Sequence, residues 1–168
     1  MTLIDKIEAI TRLSGKIAAL LILPLIGALV AEVVSRYLFD SPTLWAFEVS
    51  YMVMGAIFML GLANALRTGQ HVCVDVVTLK LSTRVNAAIR ACCYALFLPL
   101  VCWLSWELGC YFYEALESGE RSGRSAWNPY MWPVYSVWFA GFAILSLQVL
   151  AELLDSAMVA FGRRGKTA

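Results

Sequence analysis

His71, Cys73 and Asp75 stand at alternate positions in the stretch 64–84, NALRTGQHVCVDVVTLKLSTR. Imidazole, thiolate and carboxylate are ligands for transition metals, and an extended backbone would put all three on one face. A metal centre needs three or four ligands. His71 is the only histidine in the chain, and no other local cysteine or carboxylate stands at useful spacing. The expectation is therefore no metal site. Haem held by two histidines of this chain is excluded by the same count. Nucleophilic chemistry fares no better, because nothing sets a base and an orienting acid beside a serine or cysteine. The stretch predicts no catalytic residue, no substrate-binding residue and no cofactor, and the chain is not expected to be an enzyme.

A structural account of the stretch fits better. Gly69 is a helix stop. Arg67 reaches membrane head-groups or the last carbonyls of the preceding helix. Val72, Val74, Val76 and Val77 keep the following segment at a membrane surface. His71 and Asp75 then hold a turn or touch a partner.

The elements that carry these residues are written in the bulk of the sequence. The 168 residues are 61% hydrophobic with a mean hydropathy of +0.73, and 15% charge is too little to cover a soluble domain of this size. Crossing the hydrocarbon takes roughly 20 apolar residues in a helix. Four blocks reach that length, at about 17–38, 44–66, 87–108 and 130–154. Ahead of them, Ile4, Ile7, Ile10, Leu13 and Ile17 recur every three or four positions, with Asp5, Lys6, Glu8, Arg12 and Lys16 between them. That pattern predicts an amphipathic helix along the inner leaflet. The fold class is an all-α integral membrane protein: four transmembrane helices plus an N-terminal amphipathic interfacial helix (residues 1–16), in one domain over 1–168. The first apolar run is longer than a signal-peptide core and no convincing cleavage site follows, so it is expected to be a retained span. The five cysteines offer no paired framework. A net charge of +1 gives no reason to expect nucleic acid.

Two signals orient the chain. Ten of the thirteen basic residues fall in the N-terminal segment, in the 67–90 region and in the tail, against Arg36, Arg121 and Arg124 on the other side. The positive-inside rule puts both termini and His71 in the cytoplasm. All six tryptophans (Trp45, Trp103, Trp106, Trp127, Trp132 and Trp138) lie toward the opposite side, where an aromatic belt is expected. Glu32, Arg36, Glu48, Glu107, Glu152 and Asp155 stay near span ends, and no charge sits at mid-span, where a self-contained ion-coupled carrier would need one.

With these residues placed, the sequence resembles the small DctQ-type membrane subunit of tripartite ATP-independent periplasmic (TRAP) transporters. The likeness rests on Trp45-x-x-Glu48, on Gly61-Leu-Ala-x-Ala-Leu-Arg67-x-Gly69-x-His71-Val-x-Val-Asp75, and on Ser122-Gly-Arg-Ser125 with Pro129, Trp132 and Pro133. Gln70 departs from it, where a second glycine is usual, and Trp45-Ala-Phe-Glu48 carries one acid where two are often adjacent. The resemblance implies a scaffold in the bacterial inner membrane for a large multi-span, sodium-coupled subunit. That transporter takes up an organic anion, usually a carboxylate, delivered by a transient periplasmic substrate-binding protein. It marks Trp45, Glu48, Arg67, Gly69, His71, Asp75, Ser125 and Pro129 as candidate partner-interface residues. The bilayer is the remaining partner. Two rivals stay open: a membrane anchor of another complex, and a small self-contained four-helix transporter. A disulfide-generating membrane enzyme fails because residues 39–43 and 114–129 contain no cysteine.

Overall fold

The computed structural model describes residues 3–70 and 82–161. Among them lie five α-helices: α1 (Leu3–Leu20), α2 (Ile22–Leu38), α3 (Ala46–Arg67), α4 (Thr83–Ser118) and α5 (Trp132–Ala160). Four helical segments are long and apolar enough to cross a membrane, with α1 and α2 counting as one 36-residue segment. The all-α fold class is as expected. The segment carrying His71, Cys73 and Asp75 lies outside the described residues.

The junction between α1 and α2 has a local cause. Pro24 has no N–H, and its ring clashes with the carbonyl four residues back, that of Leu20. The helix loosens at Leu21 for this reason. The ladder still runs through, because Leu21 N–H reaches the Ile17 carbonyl at 3.0 Å and Leu25 N–H reaches that of Leu21 at 3.3 Å. The predicted amphipathic helix therefore exists and is joined to the first span.

Helix α4 is the main departure from the hydropathy reading. It runs for 36 residues, or about 54 Å at 1.5 Å per residue, against about 30 Å of hydrocarbon. Hydropathy marks where lipid begins. A helical ladder ends only where the backbone is capped. Here the caps are Ser82, whose hydroxyl accepts from Val85 N–H, and Gly119, in the left-handed conformation at φ 64°. Helix α5 begins at Trp132 with a proline in its first turn, a little later than the predicted 130.

Packing is uneven. Helix α5 lies against α4, α3 and α1, whereas α2 touches little besides α3. A core of Ala63, Leu66, Val101, Leu145 and Val149 joins α3, α4 and α5. Close approach needs small residues. A Cβ on Gly141 of α5 would lie 2.6 Å from the Met59 carbonyl oxygen of α3. Ser105 and Ser146 meet at 3.0 Å between α4 and α5.

The burial of α1 adds a detail that the sequence pattern does not give. Its inward stripe is Ile7, Thr11, Ser14 and Ala18, while Ile10, Leu13 and Ile17 point outward. Apolar side chains gain nothing from leaving lipid for protein, so the contact face is chosen for size and hydrogen bonding.

Candidate functional site

Of the candidate interface residues, those that are described fall at the two ends of the bundle, and each end is tied by polar contacts. At one end, α3 begins after Trp45, which is 40% exposed. Thr43 Oγ1 accepts the Ala46 N–H at 3.3 Å and so caps α3. Glu32 of α2 holds that threonine: one carboxylate oxygen accepts both the Thr43 N–H (2.9 Å) and its hydroxyl, and the other pairs with Arg36. The acid predicted as half of an i, i+4 pair thus also fixes the α2–α3 turn.

Glu48 sits in the first turn of α3, where the positive end of the helix dipole favours an anion. It is 1% exposed. Its Oε1 accepts the Ser122 hydroxyl at 2.5 Å, across 74 residues of chain, and its Oε2 has no hydrogen-bond partner among the described residues. Ser122 belongs to the α4–α5 loop, which closes on itself. Arg121 and Tyr130 form an isolated antiparallel bridge, Ser122 N–H donates to the Pro129 carbonyl, and Met131 N–H donates to that of Glu120. Gly123 at φ 62° and Asn128 at φ 47° make the bend, joined by a 2.9 Å bond from Gly123 N–H to Asn128 Oδ1. The Ser125 hydroxyl accepts the Asn128 N–H at 3.4 Å. Ser125 and Pro129 therefore shape the loop, and Ser122 docks it on α3. Trp127 and Trp132 flank it, partly exposed, while Trp138 lies deeper, with its Nε1 beside Gly55 of α3.

At the opposite end, Gly69 terminates α3 as expected. It adopts φ 67°, with Gly69 N–H on the Leu66 carbonyl and Gln70 N–H on that of Ala65, a Schellman pair. Arg67 donates through Nε and Nη2 to Asn64 Oδ1. It lines a cavity of about 280 Å³ shared with Glu8 of α1 and Gln148, Glu152 and Asp155 of α5. Gln148 is 1% exposed and links three helices. It accepts from Thr11 of α1 at 2.9 Å and donates to Glu152 at 3.0 Å, and Glu152 lies 3.8 Å from Arg90 of α4. His71 and Asp75 fall outside the described residues. Among the described residues, no three His, Cys, Asp or Glu side chains come together as a metal site.

Among the described residues of the two layers, no serine or cysteine is hydrogen-bonded to a histidine. The polar groups tie helices to each other. Residues 25–158 match the family described as tripartite ATP-independent periplasmic transporters, DctQ component. The chain belongs to this family. Over 69 residues it is also 32% identical to the sialic acid TRAP transporter permease protein SiaT of Haemophilus influenzae (strain 86-028NP). That match covers 41% of this chain and 11% of SiaT, so the chain spans about a tenth of this curated relative's length. No solved structure matches the chain. As a DctQ component with four membrane-length helices, it is a multi-pass inner-membrane protein of a tripartite transport system.

Sequence reasoning did not find the Gln148 layer. A signal was present: Gln148 and Glu152 are i, i+4 polar residues inside an otherwise apolar helix. It also did not find the Glu48–Ser122 contact, although both residues were in motifs that drew attention. A contact between residues so distant in the chain leaves no spacing to read.

Proposed function

We propose that this chain is the scaffold subunit of a TRAP transporter. It holds and widens the static part of a large, sodium-coupled subunit during uptake of an organic anion, a carboxylate, delivered by a periplasmic binding protein. It forms one membrane domain, with α1 at the inner leaflet and both termini in the cytoplasm. It carries out no chemistry itself.

The observation that supports this reading best is where the polar groups are spent. A carrier for sodium and an anion needs broken helices, exposed carbonyls or buried carboxylates near the midplane. In this chain several buried polar side chains serve as ties: Thr11 to Gln148, Ser14 to the Leu60 carbonyl and Ser105 to Ser146 join helices, and Glu48 to Ser122 joins α3 to the α4–α5 loop. Large apolar side chains cover the outside of α2 and α4, including Leu23, Ile26, Val30, Leu96 and Trp106. Such a bundle is suited to lie between lipid and another membrane protein. SiaT is named for sialic acid, which is itself a carboxylate, and this agrees with the proposed substrate class. Arg67, Gly69, His71 and Asp75 would serve assembly at the inner face, and Trp45, Glu48, Ser125 and Pro129 at the outer face.

Co-expression tests the reading. The tagged chain should co-purify stoichiometrically with the large membrane subunit of its system. His71→Ala or Asp75→Ala should lower that yield without changing substrate preference. A chain that purifies alone while the large subunit is present and folded would overturn the scaffold role.

A further inference from the structure

The outer loop contains an arginine with two places to go. Glu48 Oε2 is buried without a partner among the described residues, and the residue is 1% exposed. An unpaired buried carboxylate oxygen is costly to keep. Ser122 Oγ donates to Glu48 Oε1 at 2.5 Å and accepts the Arg124 backbone N–H at 3.4 Å. The Arg124 backbone is therefore two hydrogen bonds from the carboxylate, well within reach of its own side chain. Its guanidinium instead lies over the Tyr51 ring, 4.8 Å from the centroid. Tyr51 is three residues after Glu48 on α3, so ring and carboxylate share one helix face.

We propose that Arg124 is a two-position strap: it rests on the Tyr51 ring when the loop is open to water and pairs with Glu48 Oε2 when the loop is covered. The physical drive is desolvation. While the loop is wet, pairing with the buried carboxylate would strip the guanidinium of its own water, which offsets most of the gain, and the ring is an adequate resting place. When a protein covers the loop and removes water, the charge pair strengthens more than the ring contact, and the guanidinium moves inward. The movement draws Gly123 and Arg124 onto α3 without altering the bridge between Arg121 and Tyr130. On the scaffold reading above, the covering protein is the periplasmic binding protein, and the strap reports its arrival to α3.

The test is a set of melting temperatures on the complex with the large subunit in nanodiscs. Glu48→Gln and Arg124→Gln are made singly and together, with Tyr51 intact and with Tyr51→Leu. Leucine removes the resting place, so Arg124 should move to Glu48. The cost of Glu48→Gln should then at least double, and Arg124→Gln should abolish the increase. With Tyr51 intact, the same pair should show a smaller coupling of the same sign, which keeps the test decisive should Tyr51→Leu fail to assemble. Additive effects in whichever backgrounds assemble would overturn the strap. Saturating binding protein, added to the complex with Tyr51 intact, should raise the cost of Glu48→Gln toward the Tyr51→Leu value. Binding without that rise would overturn the link to docking. Absence of any binding would count against the docking reading alone, because the melting cycle still decides the strap.

Discussion

α2 and α5 draw on the same apolar residues and are treated in opposite ways. Helix α2 buries Ala28 and exposes Ile22, Leu23, Ile26, Leu29, Val30 and Val33. Helix α5 buries Val134, Gly141, Leu145, Gln148, Val149, Ala151, Asp155 and Ser156. In a soluble protein the more apolar helix would be the inner one. In a membrane the apolar side chain has no reason to leave lipid, so the inner helix is marked by its small and polar residues. Helix α5 is the axis of this bundle because it carries Gly141, Ser146, Gln148 and Asp155. Helix α2 is left as a bare surface for lipid or a partner subunit.

Substitutions that exploit this difference should rank as follows. Gly141→Leu has the largest effect, because its Cβ would meet the Met59 backbone at 2.6 Å and backbone cannot rotate away. A loss of about 3 kcal/mol or more is expected, read as failure to recover monodisperse protein. Gln148→Leu comes next. It strips the Thr11 hydroxyl and Glu152 of a buried partner and should cost about 2 kcal/mol in a reversible unfolding assay in mixed micelles. Ser146→Ala removes the 3.0 Å contact with Ser105 and should cost about 0.6 kcal/mol, the average for such bonds in membranes. Gly27→Leu on α2 is the control. A Cβ there meets nothing within 4 Å, and helix propensity should raise subunit stability by up to about 1 kcal/mol. If α2 seats on the large subunit, the same change should still lower the yield of complex. Equal losses from Gly27→Leu and Gly141→Leu would dissolve the distinction between the two helices.

How much of this was legible in the sequence follows the same physics. Four membrane-length helices and the amphipathic lead-in show in composition and period, since lipid selects apolar runs directly. Gly69 was legible because few residues other than glycine adopt its φ of 67° at a helix end. The face of α1 was not. The apolar stripe through Ile10, Leu13 and Ile17 points outward, and the packed stripe contains Thr11 and Ser14, which hydropathy scores as surface. The ends of α4 were missed because its caps lie beyond its apolar block. At the candidate site, Glu48 and Ser122 each stood in a noticed motif, but only the fold brings them to 2.5 Å. Trp138 lies about two turns into α5, and only the fold shows that its Nε1 sits beside Gly55.

The central claim is that this chain is necessary to transport as scaffold and insufficient as carrier. Reconstitution into proteoliposomes with an inward sodium gradient and loaded binding protein tests it most directly. Uptake should appear when both membrane subunits are present and fall to background when either is left out. Uptake by this chain without the large subunit would contradict the account and make it a transporter in its own right.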